Sequence, residues 1–446
     1  MRFPSANIKI RAWPQDAGDI MRQEDNYLLT QTGAGTPMGE MFRRYWLPAM
    51  LASELPDNDC PPVRLKLLGE RLLAFRDSEG KLGLIDEYCA HRGVSLWFGR
   101  NEECGLRCPY HGWKFDVTGQ CVDVPSEPEE SGYAKKIKLK SYPFQEAGGV
   151  LWAYMGPAEL QPPLPGFEWT ELGPKHRFFS KRLQECNWLQ AFEGGIDSAH
   201  VSWLHSADMH RDPLHRSTKG AGYQSDRKPS FEILESDGGL YIAARRNAEV
   251  GHYYWRITQY IMPFYTMIPP YGGNALNGHA WVPIDDENCF AWTFTYHPAR
   301  ELTEFELDVM RGGGGIHVRY EPGTFIPLAN KRNDYMMDRA AQKAGETYSG
   351  VSGIAIQDAS LQESMGPIVD RTRENLCSTD NAIILARSRL RKAALALRDK
   401  GMAPPAVEPH CHAVRPATYV LPEADSFLSV KEKALSAKAG TEPVAI

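Results

Sequence analysis

The sequence predicts an α+β protein, with a small all-β domain near the start and a larger domain of helices and strands behind it. Three observations carry this prediction. The chain has 446 residues, more than one ordinary hydrophobic core organises, so two or three folding units are expected. Between about 60 and 160, short strand-like runs alternate with turn signals. Beyond about 170, stretches with helical spacing are interleaved with longer strand-like ones.

Taken in order, residues 1–22 form an N-terminal extension. Residues 1–20 lack the apolar stretch of a secretory signal, and Asp16 and Asp19 argue against a transit peptide. Met21 is an alternative start, so this part is expected to be loose. Residues 23–46 read as a helical lead-in that packs on the larger domain. The β domain is placed at 47–156, with strands in VRLKLLG, RLLAFRD and LGLIDEY separated by GE, SEG and TG. GPAELQPPLPGF, residues 156–167, has the Pro and Gly content of a linker. The larger domain is placed at 157–430. In it ECNWLQAFEGGIDSAHVSWLHS reads as helical, and LYIAARR, YYWRITQYIMPFYTMI and CFAWTFTYH read as strands. IQDASLQESMGPIVDRTREN and TDNAIILARSRLRKAALALRD have helical spacing again, and residues 431–446 read as a loose tail.

Composition narrows the function classes. Hydrophobic residues make up 42% and charged residues 24%, as in ordinary globular proteins. A net charge of −6 gives no global basic surface for nucleic acid. No apolar run approaches the roughly 20 residues that span a bilayer. Nine cysteines, odd in number and thinly spread, suit reduced thiols in a cytoplasmic protein. Cys60, Cys186, Cys289, Cys377 and Cys411 read as packing residues. Cys104 and Cys121 lie near the motif below and are minor candidates as ligands.

That motif is YCAHRGVSLWFGRNEECGLRCPYHGWKFD, Tyr88 to Asp116. It holds two close pairs, Cys89 with His91 and Cys108 with His111, flanked by Gly and Pro. Two such pairs arise by chance with difficulty. A structural zinc site usually pairs Cys with Cys and His with His. Here each segment supplies one thiolate and one imidazole. Two loops of that kind can clasp a Rieske 2Fe–2S centre, with both cysteines on one iron and both histidines on the other. C-x-H-x16-C-P-Y-H-G-W closely resembles the Rieske motif of the ring-hydroxylating oxygenases. Gly93 and Gly112 let backbone N–H groups approach the sulfides, and Trp113 packs beneath the loop.

EGGIDSAHVSWLH supplies a second constellation: Glu193, Asp197, His200 and His205. On a regular helix the first three share a face, while His205 points elsewhere unless the helix ends near Trp203. Two histidines and a carboxylate form the facial triad of mononuclear non-haem Fe(II), with open positions for O₂ and substrate. Two satisfied core histidines are the plainer alternative. Asp358, Glu363, Asp370 and Glu374 lie together on the helix-like stretch far downstream.

The resemblance extends to QEDNYLLTQTGAGTPMGEMFRRYWLPA, QAFEGGIDSAHVSWLHS, ITQYIMPFYTMIPP and QESMGPIVDR, which look like the phthalate dioxygenase group. It implies a Rieske all-β domain joined to a helix-grip type catalytic domain with a curved antiparallel sheet. It implies His200 and His205 as iron ligands with Asp358 third, Glu363 standing as the fallback. It implies Asp197 as a bridge between His200 and His111 of a neighbouring subunit, hence a homotrimer or homohexamer. O₂ is the co-substrate, and NAD(P)H serves only through a separate flavin and 2Fe–2S reductase. RGGGGIH at 311 is a loop rather than a nucleotide fingerprint. The substrates implied are phthalates, substituted benzoates or methoxylated aromatic acids, with cis-dihydroxylation or O-demethylation as the outcome. A carboxylate of that kind calls for a guanidinium in an apolar pocket. Arg245, Arg246 and Arg256 are the candidates, and Trp203, Phe264 and Tyr265 are candidate walls.

Overall fold

The computed structural model describes residues 21–446 except Ser217 and Ala439, so nearly all of the expected N-terminal extension lies outside the described residues. The chain opens with α1 (Gln23–Thr30) and α2 (Pro37–Phe42). Thr36 caps α2 by accepting a hydrogen bond from the Gly39 N–H, and Pro37 fills the first turn where no donor is needed. Asn26 donates to the Val369 carbonyl at 3.1 Å, and Asn187 donates to the Thr30 carbonyl at 2.9 Å. The lead-in is thereby tied to segments far along the chain.

The small domain is built from short strands. They are β1 (Trp46–Leu51), β2 (Val63–Leu67), β3 (Glu70–Arg76), β4 (Leu82–Asp86) and β5 (Arg100–Glu102). β6 (Gly105–Arg107), β7 (Lys114–Phe115), β8 (Cys121–Asp123), β9 (Phe144–Ala147) and β10 (Val150–Tyr154) follow. They form three antiparallel sheets, ordered β1-β10-β9, β2-β3-β4 and β5-β6-β7-β8. β3 is the partition. Its side chains alternate between faces, as strand geometry requires. Leu72 and Ala74 join the main core, which runs on through Trp152 and Trp188. Leu73 and Phe75 join a separate small core with Leu96, Leu106, Phe115, Cys89 and Cys108.

The larger part begins with β11 (Arg177–Gln184), α3 (Trp188–Ile196), α4 (Asp208–Arg211) and α5 (Lys219–Tyr223). The strands β12 (Ser230–Glu235), β13 (Gly239–Asn247), β14 (His252–Ile261), β15 (Tyr265–Ile268), β16 (Leu276–Pro283) and β17 (Cys289–Tyr296) come next. Then follow α6 (Glu304–Arg311), α7 (Arg339–Lys343), α8 (Ile354–Ser364), α9 (Asn381–Lys400), β18 (Ala417–Pro422) and α10 (Lys431–Ala434). The eight-stranded antiparallel sheet has the order β11-β17-β16-β15-β14-β13-β12, with β18 beside β14. Aromatic and β-branched residues dominate its runs, as in HYYWRITQYI and CFAWTFTY. Among the described residues no helix is long and apolar enough to cross a membrane.

Four expectations are corrected. YYWRITQYIMPFYTMI is two strands rather than one, because the chain turns at Met262, Pro263 and Phe264 and β14 and β15 pair as an antiparallel hairpin with Ile261 opposite Tyr265. The helix through ECNWLQAFEGGID stops at Ile196, so Glu193 and His200 do not share a helical face. Asp197 is extended, and its carboxylate accepts from the Ala199 N–H at 2.7 Å, turning the chain out of the helix. α8 ends at Ser364, ahead of Gly366 at φ +92° and Pro367, so Asp370 and Glu374 lie outside it. The last residues are not loose: Thr418 donates its N–H to the Val444 carbonyl at 3.0 Å, and Gly220 donates to the Ile446 carbonyl at 3.1 Å.

A buried ion cluster joins α3 to the segment after α8. Glu193 faces Arg371 at 3.1 Å and Arg387 at 2.6 Å, and Glu374 faces Arg387 at 2.6 Å. Arg371 is wholly buried and also donates to Asn26 at 3.1 Å. Burial pushes the Glu193 carboxyl up, but the two guanidiniums outweigh it and hold it below the usual range. Removing one partner of a buried pair leaves an uncompensated charge. Glu193→Gln is therefore expected to cost about 3–5 kcal/mol of stability in urea denaturation. A loss under about 1 kcal/mol would show the cluster to be dispensable.

Candidate metal centres and active-site cavity

The two Cys/His loops are copies of one another in hydrogen bonding. The Cys89 N–H donates to the Val94 carbonyl at 2.8 Å, and the Gly93 N–H donates back to the Cys89 carbonyl at 2.9 Å. In the other loop the Cys108 N–H donates to the Trp113 carbonyl at 2.8 Å, and the Gly112 N–H donates to the Cys108 carbonyl at 3.0 Å. Each loop turns through a left-handed glycine, Gly93 at φ +72° and Gly112 at φ +76°. At Gly112 a Cβ would also meet Pro125 at 2.9 Å. Both cysteines are buried in the small core, at 3% and 2% exposure, while both histidines are exposed. Burial pushes the Cys89 thiol up to about 11, with the neighbouring Cys108 adding to it. The His91 and His111 rings stand 4.4 Å apart, and Trp113 stacks on His91 at 4.6 Å and 8°. The donor set thus has an inner thiol end and an outer imidazole end, which fits a 2Fe–2S cluster held by unlike ligands. Cys121 lies in the small core and Cys104 at a turn between β5 and β6, and neither belongs to these loops.

The second constellation also converges. His200 Nε2 lies 3.1 Å from His205 Nε2, and Asp358 Oδ1 lies 3.5 Å and 3.2 Å from them. The histidines come from the turn beyond α3 and the aspartate from α8. Metal bonds near 2.1 Å place adjacent octahedral donors about 3.0 Å apart, so this spacing fits one small cation. Burial pushes the Asp358 carboxyl up, but His205, His200 and Arg182 outweigh it and hold it at about 2. It is a carboxylate at neutral pH. Glu363, the fallback, is engaged elsewhere: it accepts from the Glu185 N–H at 3.1 Å and the Tyr335 hydroxyl at 2.6 Å. Asp197 is not among the converging atoms. Its Oδ2 faces His200 Nδ1 at 3.4 Å, behind the ring.

Sequence reasoning missed Gln357. Its Oε1 lies 2.7 Å from His205 Nδ1, which must therefore carry the proton and leave Nε2 bare. Gln357 is itself fixed, donating to Asp208 at 2.6 Å and to the Val351 carbonyl at 2.9 Å. Its position directly before Asp358 was the only available signal.

The converging atoms open onto a cavity between the helices and the sheet. Val201, Met209, Ile268, Tyr271, Trp281 and Ile316 are among its apolar walls. Trp203, Phe264 and Tyr265 are not. Trp203 is 44% exposed beneath Arg227, and the other two are buried against Phe42, Phe167 and His412. Of the three arginines expected there, only Arg256 lines the cavity. Arg245 stacks on Tyr253 at 4.2 Å, and Arg246 donates to the Ser198 and Asp226 carbonyls and the Ser202 hydroxyl. Adjacent strand residues face opposite ways, so 245 and 246 cannot serve one site. A second cavity arginine, Arg182 on β11, was unforeseen. Near it His279 stays neutral, because burial and then Arg182 push its imidazole down to about 4.

Outer-shell partners of metal-binding imidazoles typically change affinity 10- to 100-fold. Gln357→Leu is expected to lower iron retained after dialysis against a chelator by about that factor, with the visible spectrum of the Cys/His loops unchanged. Full iron content in the variant would remove Gln357 from the centre.

Comparison with known proteins agrees with this division. Residues 45–143 match the Rieske [2Fe-2S] domain, and residues 153–434 match the LigXa C-terminal domain like family. The chain is 38% identical over 397 residues to the 3-chlorobenzoate-3,4-dioxygenase oxygenase subunit of Comamonas testosteroni, covering 86% of this chain and 91% of the relative. It is 37% identical over 378 residues to the phthalate 4,5-dioxygenase oxygenase subunit of Pseudomonas putida, covering 82% and 84%. In structure it superposes on a mutant of NdmA from Pseudomonas putida CBB5 with a TM-score of 0.57 at 18% identity, over 87% of this chain and 99% of the other, which speaks for the fold. A Rieske 2Fe–2S cluster and a mononuclear iron are the cofactors of this fold and family. The chain belongs to the Rieske non-haem iron ring-hydroxylating oxygenases, as an oxygenase (alpha) subunit.

Proposed function

We propose that this oxygenase cis-dihydroxylates an aromatic carboxylate of the phthalate or substituted benzoate type. In this reading Cys89, His91, Cys108 and His111 hold the cluster, and His200, His205 and Asp358 hold the mononuclear iron. The observation that carries it is the cavity. A carboxylate, two imidazoles and an unpaired buried guanidinium, Arg256, face one apolar chamber. When bound, the cluster supplies single electrons and the iron supplies O₂ activation.

The chain's own residues do the rest. Arg256 fixes the substrate carboxylate through its planar fork. The apolar walls hold the ring and exclude water. Gln357 sets the tautomer of His205, and Asp197 orients His200 from behind. The boundaries 47–156 and 157–430 separate electron entry from chemistry.

Electrons come from a separate flavin and 2Fe–2S reductase fed by NAD(P)H, in the cytoplasm. They cross between subunits of a trimeric or hexameric ring, with Asp197 as the bridge to His111 of the next chain. What supports this is the surface around the cluster loops. His91 and His111 are exposed there, with Tyr110 at 54% and Phe98 at 62% exposure, and Arg92 and Arg64 stacked over Tyr110 and Trp97.

The test is product analysis with a phthalate-type reductase, NADH and a panel of aromatic acids. A cis-dihydrodiol is expected. Formaldehyde from a methoxylated acid would move the enzyme to the O-demethylases, and peroxide alone from every acid would sink the aromatic-acid reading. Asp197→Asn, which keeps an oxygen facing His200 and removes only the charge, is expected to keep iron content and cluster spectrum while slowing product formation about 10- to 100-fold. An unchanged rate would remove Asp197 from the electron path.

A further inference from the structure

We infer that the substrate is an aromatic diacid whose two carboxylates sit on non-adjacent ring positions, one held by Arg256 and the other by Arg182. This rests on the reading of the chain as an aromatic-acid oxygenase. It adds a second anchor and a geometry that excludes most members of that class.

The first ground is electrostatic. Arg182 is 4% exposed and Arg256 6%, and both line the cavity. Other buried arginines have carboxylate partners: Arg43 has Glu70 at 2.7 Å, Arg371 has Glu193 at 3.1 Å, and Arg387 has Glu193 at 2.6 Å. Arg246 lacks one but donates to two carbonyls and a hydroxyl, with only its Nη1 left without a partner. In hydrogen bonds Arg182 and Arg256 have only weak neutral partners among the described residues, and Asp358, the carboxylate whose charge Arg182 feels, is turned to His200 and His205. Arg182 donates to Gln184 Oε1 at 3.2 Å, and Arg256 to Ser198 Oγ and Thr258 Oγ1, each at 3.4 Å. The Nε–H of both guanidiniums is buried without an acceptor. A buried cation left in this state is costly unless an anion arrives. His279 beside Arg182 cannot supply one.

The second ground is placement. Arg182 springs from β11 and Arg256 from β14, with β17, β16 and β15 between them. Four strand steps of about 4.8 Å separate their backbones by roughly 19 Å along the curved sheet. Register keeps both on the inner face: Arg182 stands opposite Ala291, and Ala291 opposite the cavity residue Trp281. The two side chains therefore approach the metal-binding atoms from opposite flanks. Arg256 reaches Ser198, two residues before His200. Arg182 reaches Gln184, which donates to Gln362 at 2.6 Å on α8, one turn beyond Asp358. A monoacid satisfies one guanidinium and leaves the other bare. An ortho diacid presents both carboxylates to one flank. A 1,3- or 1,4-diacid presents one to each, with the ring in the chamber that Trp281 and Ile268 line.

The experiment is calorimetric titration of the anaerobic holoenzyme with benzoate, phthalate, isophthalate and terephthalate. Isophthalate or terephthalate is expected to bind at least about tenfold tighter than benzoate and phthalate, the scale of a hydrogen bond to a charged group. Arg182→Gln is expected to erase that preference and leave benzoate affinity within about twofold, while Arg256→Gln weakens every acid. Arg182→Lys, which keeps the charge, restores part of the preference. The ratio of diacid to monoacid affinity is read within one preparation, so incomplete folding of a variant does not affect it. Tightest binding of phthalate or benzoate, or an equal loss for all acids in Arg182→Gln, would overturn the second anchor and leave the aromatic-acid reading intact. Failure of all four acids to bind would overturn that reading itself.

Discussion

The close contact of α3 with α8 is the constraint on which the catalytic half depends. The histidines follow the end of α3 and the aspartate lies on α8, so the spacing of three donors to within 3.5 Å is set by how these helices meet. Two features permit the approach. Gly194 removes a side chain where a Cβ would stand 2.2 Å from Gln362 of α8, as Gly195 does 2.1 Å from Trp281 of β16 beneath. Gln190 then bridges the gap, donating to the Gln362 and Gly366 carbonyls at 2.9 Å and 2.8 Å. The Glu193 cluster, one turn along from Gln190, fixes the rotation of α3 beside that contact. Bringing two lone pairs and a carboxylate together opposes folding, and the packing and ion pairs of this contact offset it.

The two centres solve the same problem of support in different ways. The Cys/His loops are local. Each closes on itself through two backbone hydrogen bonds and a left-handed glycine, so the donors are positioned by a few residues. β3 isolates the small core beneath them from the main one, which lets the thiols be buried while the imidazoles stay outside. The mononuclear site is non-local, assembled from segments far apart in sequence, and it needs the whole sheet and its helices as scaffold.

That difference explains what was legible in the sequence. The first motif could be read residue by residue because spacing within a short loop limits where side chains can go. The strands of the small domain were visible for the same reason, as turns punctuate them. Asp358 was reachable only through resemblance, since four acids lay on one apparent helix and only the break at Gly366 separates two of them from it. The end of α3 was hidden because Gly-Gly-Ile-Asp can continue a helix. Only the turn made by the Asp197 carboxylate decides otherwise. Arg182 was illegible because β11, RFFSKRLQ, carries cations on both faces, and both faces are buried. Lys181 turns one way, to Glu54 at 2.6 Å, and Arg182 the other, into the cavity. Period-two alternation separates them but does not say which face holds the site.

The charges around the cavity explain why Arg182 is tolerated there. The formally charged side chains of the lining are Asp197, Asp358, Arg182 and Arg256, two of each sign, with the carboxylates turned to the histidines rather than to the guanidiniums. A divalent iron adds a charge of +2. A monoanionic substrate leaves +1 in a chamber from which water is being expelled, and a dianion brings the sum to zero. Desolvating a net charge is among the most expensive events in a protein interior, whereas desolvating a neutral set of closely paired ions costs far less. A cavity of this composition therefore favours closing around a dianion. Arg182 thus supplies the positive charge that the second carboxylate of a dianion answers, from a strand position with no carboxylate partner of its own.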